Sequence, residues 1–230
     1  MNVEEAKIQL KEKGYCSFNL VDFDDSLIQY IEKYKCNDII SLKDKMINLR
    51  ADYKNPYELE GSQNINKQFS SFEHTDSAKW EILNREDINR KDFFQIWLYN
   101  NLQDDGVKRV FDKITKYFFD LDESEQLQIE IQNTMYNKGC FLQDHTDGKS
   151  PVKNYASILI YLNENYNENW GGNLILKGND DMEYLVLPEF GKVAMIDLQN
   201  FDIHHQVTEV IADVERCTLV SFPFNKKYVK

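Results

Sequence analysis

Tyr155-Ala156-Ser157-Ile158-Leu159-Ile160-Tyr161-Leu162-Asn163 decides how the second half of the chain folds. Its residues alternate between two faces: Ala156, Ile158, Ile160 and Leu162 on one, Ser157, Leu159 and Tyr161 on the other. A strand that is aliphatic on one side and uncharged on the other is covered on both. The aliphatic side is expected to pack on helices. The opposite side then lines a cavity, with Tyr161 facing in.

Working outward, similar short runs fill the chain after Asp120: Gln128–Tyr136, Gly172–Lys177, Glu183–Leu187, Lys192–Asp197, His205–Val210 and Arg216–Phe222. Turn signals separate them, among them Asn137-Lys138-Gly139, Asn179-Asp180-Asp181 and Pro188-Glu189-Phe190-Gly191. Several short strands at close spacing predict a sandwich or barrel. Residues 1–127 read mainly as helix. Val3–Lys13 carries a helical stripe that Gly14 stops, and Asp24 or Asp25 can cap Ser26–Tyr34. Asp76 or Ser77 can cap a helix through Trp80, Ile82 and Leu83, and another helix runs from Val107 to Phe119. Lys54–Ser71 and Lys149–Asn154 read as loops and lid candidates. The predicted organisation is one unit, with a helical support region over 1–127 and a β-core over 128–230.

Bulk properties limit what this unit can do. At 230 residues it can bury a full hydrophobic core. A net charge of −12, with five arginines among 27 basic residues, disfavours a duplex nucleic-acid partner. No apolar run is long enough for a membrane span, and no apolar leader opens the chain. Cys16, Cys36, Cys140 and Cys217 are scattered, without a CxxC pair. They read as reduced thiols of a cytoplasmic protein. The oligomeric state is not legible.

The chemistry is concentrated in few residues. His145-Thr146-Asp147 places an imidazole and a carboxylate on one face if extended, and a second imidazole downstream completes a set of two histidines and one carboxylate. Such a set takes one face of an octahedral metal and leaves three positions open. His74-Thr75-Asp76 repeats the three letters, but precedes a helical run, where Asp76 or Ser77 serves as a cap. Of His204 and His205, alternation selects the latter: Ile203, His205 and Val207 share the apolar face, and His204 is left toward solvent. Arg216 shares a face with Thr218, Val220 and Phe222. A buried arginine there needs an anionic partner, either a bound carboxylate or an internal Asp or Glu. Phe93, Phe94, Trp97 and Tyr99 are core or pocket residues.

Taken together, Tyr136-Asn137-Lys138-Gly139, His145-Thr146-Asp147, Tyr161-Leu162-Asn163, Trp170-Gly171-Gly172-Asn173-Leu174, Pro188-Glu189-Phe190-Gly191-Lys192, His205-Gln206-Val207 and Arg216-Cys217-Thr218 resemble the 2-oxoglutarate- and Fe(II)-dependent oxygenase superfamily. The likeness is greatest to its prolyl-4-hydroxylase-like branch. The resemblance implies an α+β, mainly β fold: a double-stranded β-helix (jelly roll) with N-terminal supporting helices. It implies that His145, Asp147 and His205 bind Fe(II), and that Arg216 grips the far carboxylate of 2-oxoglutarate. Tyr161 and Thr218 would help, with Tyr136 near the metal end. O2 is the other implied co-substrate, and ascorbate a candidate stimulant. The implied reaction is hydroxylation of an unactivated C–H bond with release of succinate and CO2. The carboxylate at Asp147 favours hydroxylation over halogenation, since related halogenases carry a small residue there. The substrate reads as a peptidyl proline or, alternatively, a free amino acid or small metabolite. A metal-binding jelly-roll module without catalysis is the remaining alternative.

Overall fold

The computed structural model describes residues 2–36, 47–52, 55–59, 92–100, 102–147, 154–178 and 182–228, with the backbone alone for those between 47 and 100. Helix α1 (Val3–Lys13) has the predicted bounds. Asn2 accepts the Glu5 N–H at 2.9 Å while Glu5 reaches back to the Asn2 N–H, and Gly14 ends the helix at φ +82°. Strand β1 (Tyr15–Asn19) follows, then α2 (Leu20–Asp24), a 3₁₀ turn (Asp25–Leu27) and α3 (Ile28–Glu32). Asp24 accepts the Ser26 N–H at 3.0 Å, the cap expected at this point. Helix α4 (Asp105–Phe118) begins just ahead of its predicted start, because Asp104 caps it by accepting the Val107 N–H at 3.0 Å.

The described part of the first 127 residues holds strands as well as helices. It contributes β2 (Ile47–Asp52), β3 (Asn55–Leu59) and β4 (Asp92–Asn100) as well as β1. Of these, β3 falls in the stretch read as loop. Strand β4 is rich in aromatic and branched residues, which favour a pleated backbone, but it shows no clean alternation to betray it. The predicted helix through Trp80, Ile82 and Leu83 lies outside the described residues. So do the pair His74-Thr75-Asp76 and most of both lid candidates.

The remaining strands are β5 (Leu127–Gln128), β6 (Ile131–Tyr136), β7 (Phe141–His145), β8 (Ala156–Tyr161), β9 (Leu174–Lys177), β10 (Glu183–Val186), β11 (Lys192–Asp197), β12 (His204–Val207), β13 (Arg216–Ser221) and β14 (Phe224–Asn225). Among the described residues, β1-β11-β8-β13-β6 form one antiparallel layer and β7-β12-β9-β10 a second. Strand β4 pairs with both β6 and β7 and so joins the layers. This is a jelly roll. Strands from both sides of residue 127 share its sheet, and β5 pairs separately with β14.

Each face of the larger layer has its own core. Ile158 and Ile160 of β8, Val193 and Met195 of β11 and Leu219 of β13 pack with Leu10 of α1, Ile31 of α3 and Val110, Phe111 and Ile114 of α4. On the inner face, Tyr136, Tyr161, Ala194 and Ile196 meet Leu174, Leu176 and Val207 of the smaller layer. The two faces of β8 are therefore used as its alternation requires.

The cysteines correct their sequence reading. Cys36 and Cys217 form a disulfide with a Cα–Cα distance of 5.4 Å, which is ordinary for such a bond. Their separation of 181 residues hides the pairing. Topology creates it, because the chain leaving α3 passes under the helix-facing side of β13, where the Cys36 N–H donates to Leu162 O at 3.1 Å. Cys16 and Cys140 are buried thiols outside that disulfide. No described helix is long and apolar enough to cross a membrane.

Candidate active site

The two layers face each other across a buried interior, and the predicted residues converge there. His145 ends β7, and β12 places His205 directly opposite it in register. Their ring centroids are 4.1 Å apart. Asp147 lies two residues beyond His145, on the same face, and its Oδ1 is 3.7 Å from Nε2 of each histidine. One donor atom from each residue lies within 4.8 Å of the other two. Among the described residues this is the one cluster of His, Cys, Asp and Glu able to hold a metal ion.

The histidines are oriented for ligation. Nδ1 of His145 lies 2.7 Å from Gln143 O, and Nδ1 of His205 lies 3.2 Å from Ile203 O. Donation from Nδ1–H to these carbonyls leaves the Nε2 lone pairs turned toward Asp147. Burial pushes the His205 imidazole down to about 4, with His145 adding to the effect and Asp147 opposing it. His205 is thus neutral at physiological pH, the form that binds a metal. For Asp147, burial raises the carboxyl, but the two histidines and the Ser157 hydroxyl outweigh it and hold the group below its usual range. The buried Oδ2 of Asp147 has no hydrogen-bond partner. Two imidazole nitrogens and an unsatisfied carboxylate oxygen fit a divalent transition metal with open positions.

The second cluster centres on Arg216, which is 1% exposed. Register sets its neighbours: Arg216 opposes Tyr136 of β6, and Thr218 opposes Tyr161 of β8. The guanidinium carbon lies 4.6 Å from the Tyr136 ring centroid and 5.0 Å from that of Tyr161. Nε donates to Gly172 O at 3.0 Å. Nη2 of Arg216, the hydroxyl of Tyr161 and Oγ1 of Thr218 are buried without a hydrogen-bond partner. No described carboxylate pairs with Arg216, so the internal ion pair considered from sequence is not formed among the described residues. Burial pushes both phenols up to about 12, against the pull of the arginine, and keeps them neutral donors. A guanidinium fork with two unsatisfied hydroxyls fits a carboxylate.

Tyr136 lies against Arg216. Some other positions differ from expectation. His204 is not simply solvated: it is half-buried, with Nδ1 3.6 Å from Oδ1 of the buried Asp144 on the far face of the same strand pair. Ser157 escaped notice as a partner of Asp147, although its place on the inward face of β8 was the available signal. Gly172 is read from sequence as the start of a strand, yet its carbonyl holds Arg216.

Residues 131–222, the stretch that carries both clusters, match the model of the 2OG-Fe(II) oxygenase superfamily. Over these residues the chain is similar to that superfamily. No curated protein sequence matches the chain. Solved structures share its fold at low identity. A prolyl-4-hydroxylase from Pseudomonas putida is 16% identical, with a TM-score of 0.58 over 97% of this chain and 98% of that one. A prolyl hydroxylase from Trichoplax adhaerens, solved with a hypoxia inducible factor peptide fragment, is 14% identical, with a TM-score of 0.62 over 98% and 90%. The non-haem α-ketoglutarate-dependent epimerase SnoN of nogalamycin biosynthesis is 9% identical, with a TM-score of 0.59 over 96% and 82%. The superfamily uses Fe(II), 2-oxoglutarate and O2, and this protein is accordingly an enzyme of the 2-oxoglutarate-dependent dioxygenase class.

Proposed function

We propose that the protein hydroxylates an unactivated C–H bond while converting 2-oxoglutarate to succinate and CO2. His145, Asp147 and His205 are the iron ligands in this reading. Arg216 and Thr218, with Tyr161, hold the distal carboxylate, and Tyr136 supports the guanidinium. The carrying observation is that Arg216 is buried with Nη2 free, beside the equally unsatisfied Tyr161 and Thr218 hydroxyls. An uncompensated charge in the interior is costly, so the site is built for an anion.

Bound iron supplies the oxidising chemistry that side chains cannot. The chain's own part is placement. The Nδ1 contacts to Gln143 O and Ile203 O fix the imidazole planes, and Ser157 steadies Asp147. Neutral Tyr161 and Thr218 donate to the carboxylate that neutralises Arg216. The apolar wall formed by Leu174, Leu176 and Val207 excludes water. The β-core over 128–230 carries the chemistry, and residues 1–127 support it.

For the substrate, a peptidyl proline is the first reading, supported by the fold shared with prolyl hydroxylases. A small metabolite is the second, since the same fold serves SnoN. Nucleic acid is disfavoured by the net charge of −12. The cytoplasmic setting is supported by the reduced thiols of Cys16 and Cys140 and opposed by the Cys36–Cys217 bond. Thiol counting after anaerobic lysis decides it.

Anaerobic Fe(II) titration in the presence of 2-oxoglutarate tests the reaction class. A weak visible charge-transfer band is expected in the wild type and not in His145→Ala; no band in the wild type contradicts the proposal. Succinate release over proline peptides and free amino acids separates the substrates. Turnover of a free amino acid with every proline peptide inert removes the first.

A further inference from the structure

We propose that Asn163 and the Gly171-Gly172 turn are positioning elements for Arg216, one fixing its main chain and the other its guanidinium. The inference rests on the reading of Arg216 as the carboxylate anchor, and adds residues that never touch the co-substrate.

The main chain comes first. Strands β8 and β13 are paired in register only as far as Tyr161 opposite Thr218. Beyond that rung, Leu162 N–H still donates to Cys217 O at 3.1 Å, and then the side chain of Asn163 takes over. Its Oδ1 accepts the Cys217 N–H at 2.7 Å, and its Nδ2 donates to Glu215 O at 2.6 Å. A carboxamide offers one acceptor and one donor group, as a peptide unit does. Asn163 therefore extends the ladder by one step and grips the residues on both sides of Arg216. Asn163 is itself 7% exposed, so little water is at hand to replace it. Its loss leaves the buried Cys217 N–H unpaired and frees the part-buried Glu215 carbonyl at the point where the anchoring side chain departs.

The side chain is held from the other direction. Nε of Arg216 donates to Gly172 O, which settles the plane of the guanidinium and leaves the Nη groups for a ligand. That carbonyl is available only because the turn runs very close to the segment before β13. Gly171 has φ +76° and ψ −157°, a region essentially confined to glycine. A Cβ there would lie 1.8 Å from Glu209 O, and one on Gly172 would lie 2.8 Å from the Tyr166 hydroxyl. The turn is tied down by Tyr166 OH to Gly171 O at 3.0 Å, by Gly172 N–H to Thr208 O at 3.1 Å and by Asn173 N–H to Thr208 Oγ1 at 3.0 Å. The double glycine aims the arginine.

The test compares two chelating 2-oxo acids on the full-length chain loaded with Mn(II), by calorimetry. One is 2-oxoglutarate; the other is 2-oxobutyrate, which lacks the distal carboxylate. The wild type is expected to prefer 2-oxoglutarate on the order of 10–100-fold. In Asn163→Ala that preference falls about fivefold, the worth of one net hydrogen bond, while affinity for Mn(II) and for 2-oxobutyrate is unchanged. Asn163→Asp keeps the acceptor and loses the donor, so its preference lies between the two; the same ratio serves if the alanine variant does not fold. Equal weakening of both acids makes Asn163 merely structural and overturns the inference. An unaltered preference overturns it too. A wild type without preference overturns the assignment of Arg216 itself, and this inference falls with it, a result distinct from failure of Asn163 alone.

Discussion

The two ends of the interior satisfy their polar groups in opposite ways. At the metal end, His145 and His205 each have one ring nitrogen at a backbone carbonyl, while their Nε2 lone pairs and the Asp147 carboxylate converge as acceptors. At the arginine end, the guanidinium is fastened through Nε alone and faces two hydroxyls without partners. One end gathers acceptors and is completed by a cation; the other gathers donors and is completed by an anion. A carboxylate bound there gains more than an exposed ion pair would, because the desolvation of Arg216 has already occurred on folding.

Substitutions can break this contrast. The largest effect is expected from His145→Ala, which removes a ligand and should weaken Mn(II) binding by roughly a hundredfold or more, beyond what loss of a supporting group costs. Calorimetry reads it, and an unchanged affinity removes His145 from the metal end. Arg216→Ala should leave Mn(II) binding intact and weaken 2-oxoglutarate by about 10–100-fold. Arg216→Lys keeps the charge but loses the fork and the Gly172 contact, so recovery is partial. Thr218→Val, nearly the same shape, should weaken 2-oxoglutarate by only about 2–10-fold, the worth of one hydroxyl.

The smallest effect sharpens the metal side. In the metal-free protein His205 has its pKa lowered to about 4 from 6.5. Between those values the unfolded chain binds the proton and the folded one does not, so stability falls as pH drops from about 6.5 toward 4. Asp147, also lowered, adds a loss in the same direction at lower pH. Thermal denaturation of His205→Gln should show a shallower decline over that window. An identical slope in both proteins would show that His205 does not carry it.

Much of this was legible in the sequence, for a physical reason. Strand alternation has period two, so burial on two sides left a clear record in Tyr155–Asn163 and separated His205 from His204. The cap at Asp24 and the stop at Gly14 follow from local hydrogen bonding, and α1 has the bounds so expected. What alternation could not supply was proximity. The Cys36–Cys217 bond joins residues 181 apart through the topology of the sheet. Strand β4 is apolar on successive positions and gave no period to read. The part of Asn163 and Gly172 in holding Arg216 depends on carbonyl and amide directions, which no side-chain pattern records.

The most direct test is a crystal structure of the full chain with Mn(II) and 2-oxoglutarate. The account predicts one ion bound by Nε2 of His145, Nε2 of His205 and a carboxylate oxygen of Asp147. It also predicts the distal carboxylate on Arg216, within hydrogen-bond reach of Thr218 and Tyr161. An ion bound elsewhere, or a distal carboxylate held away from Arg216, would contradict it.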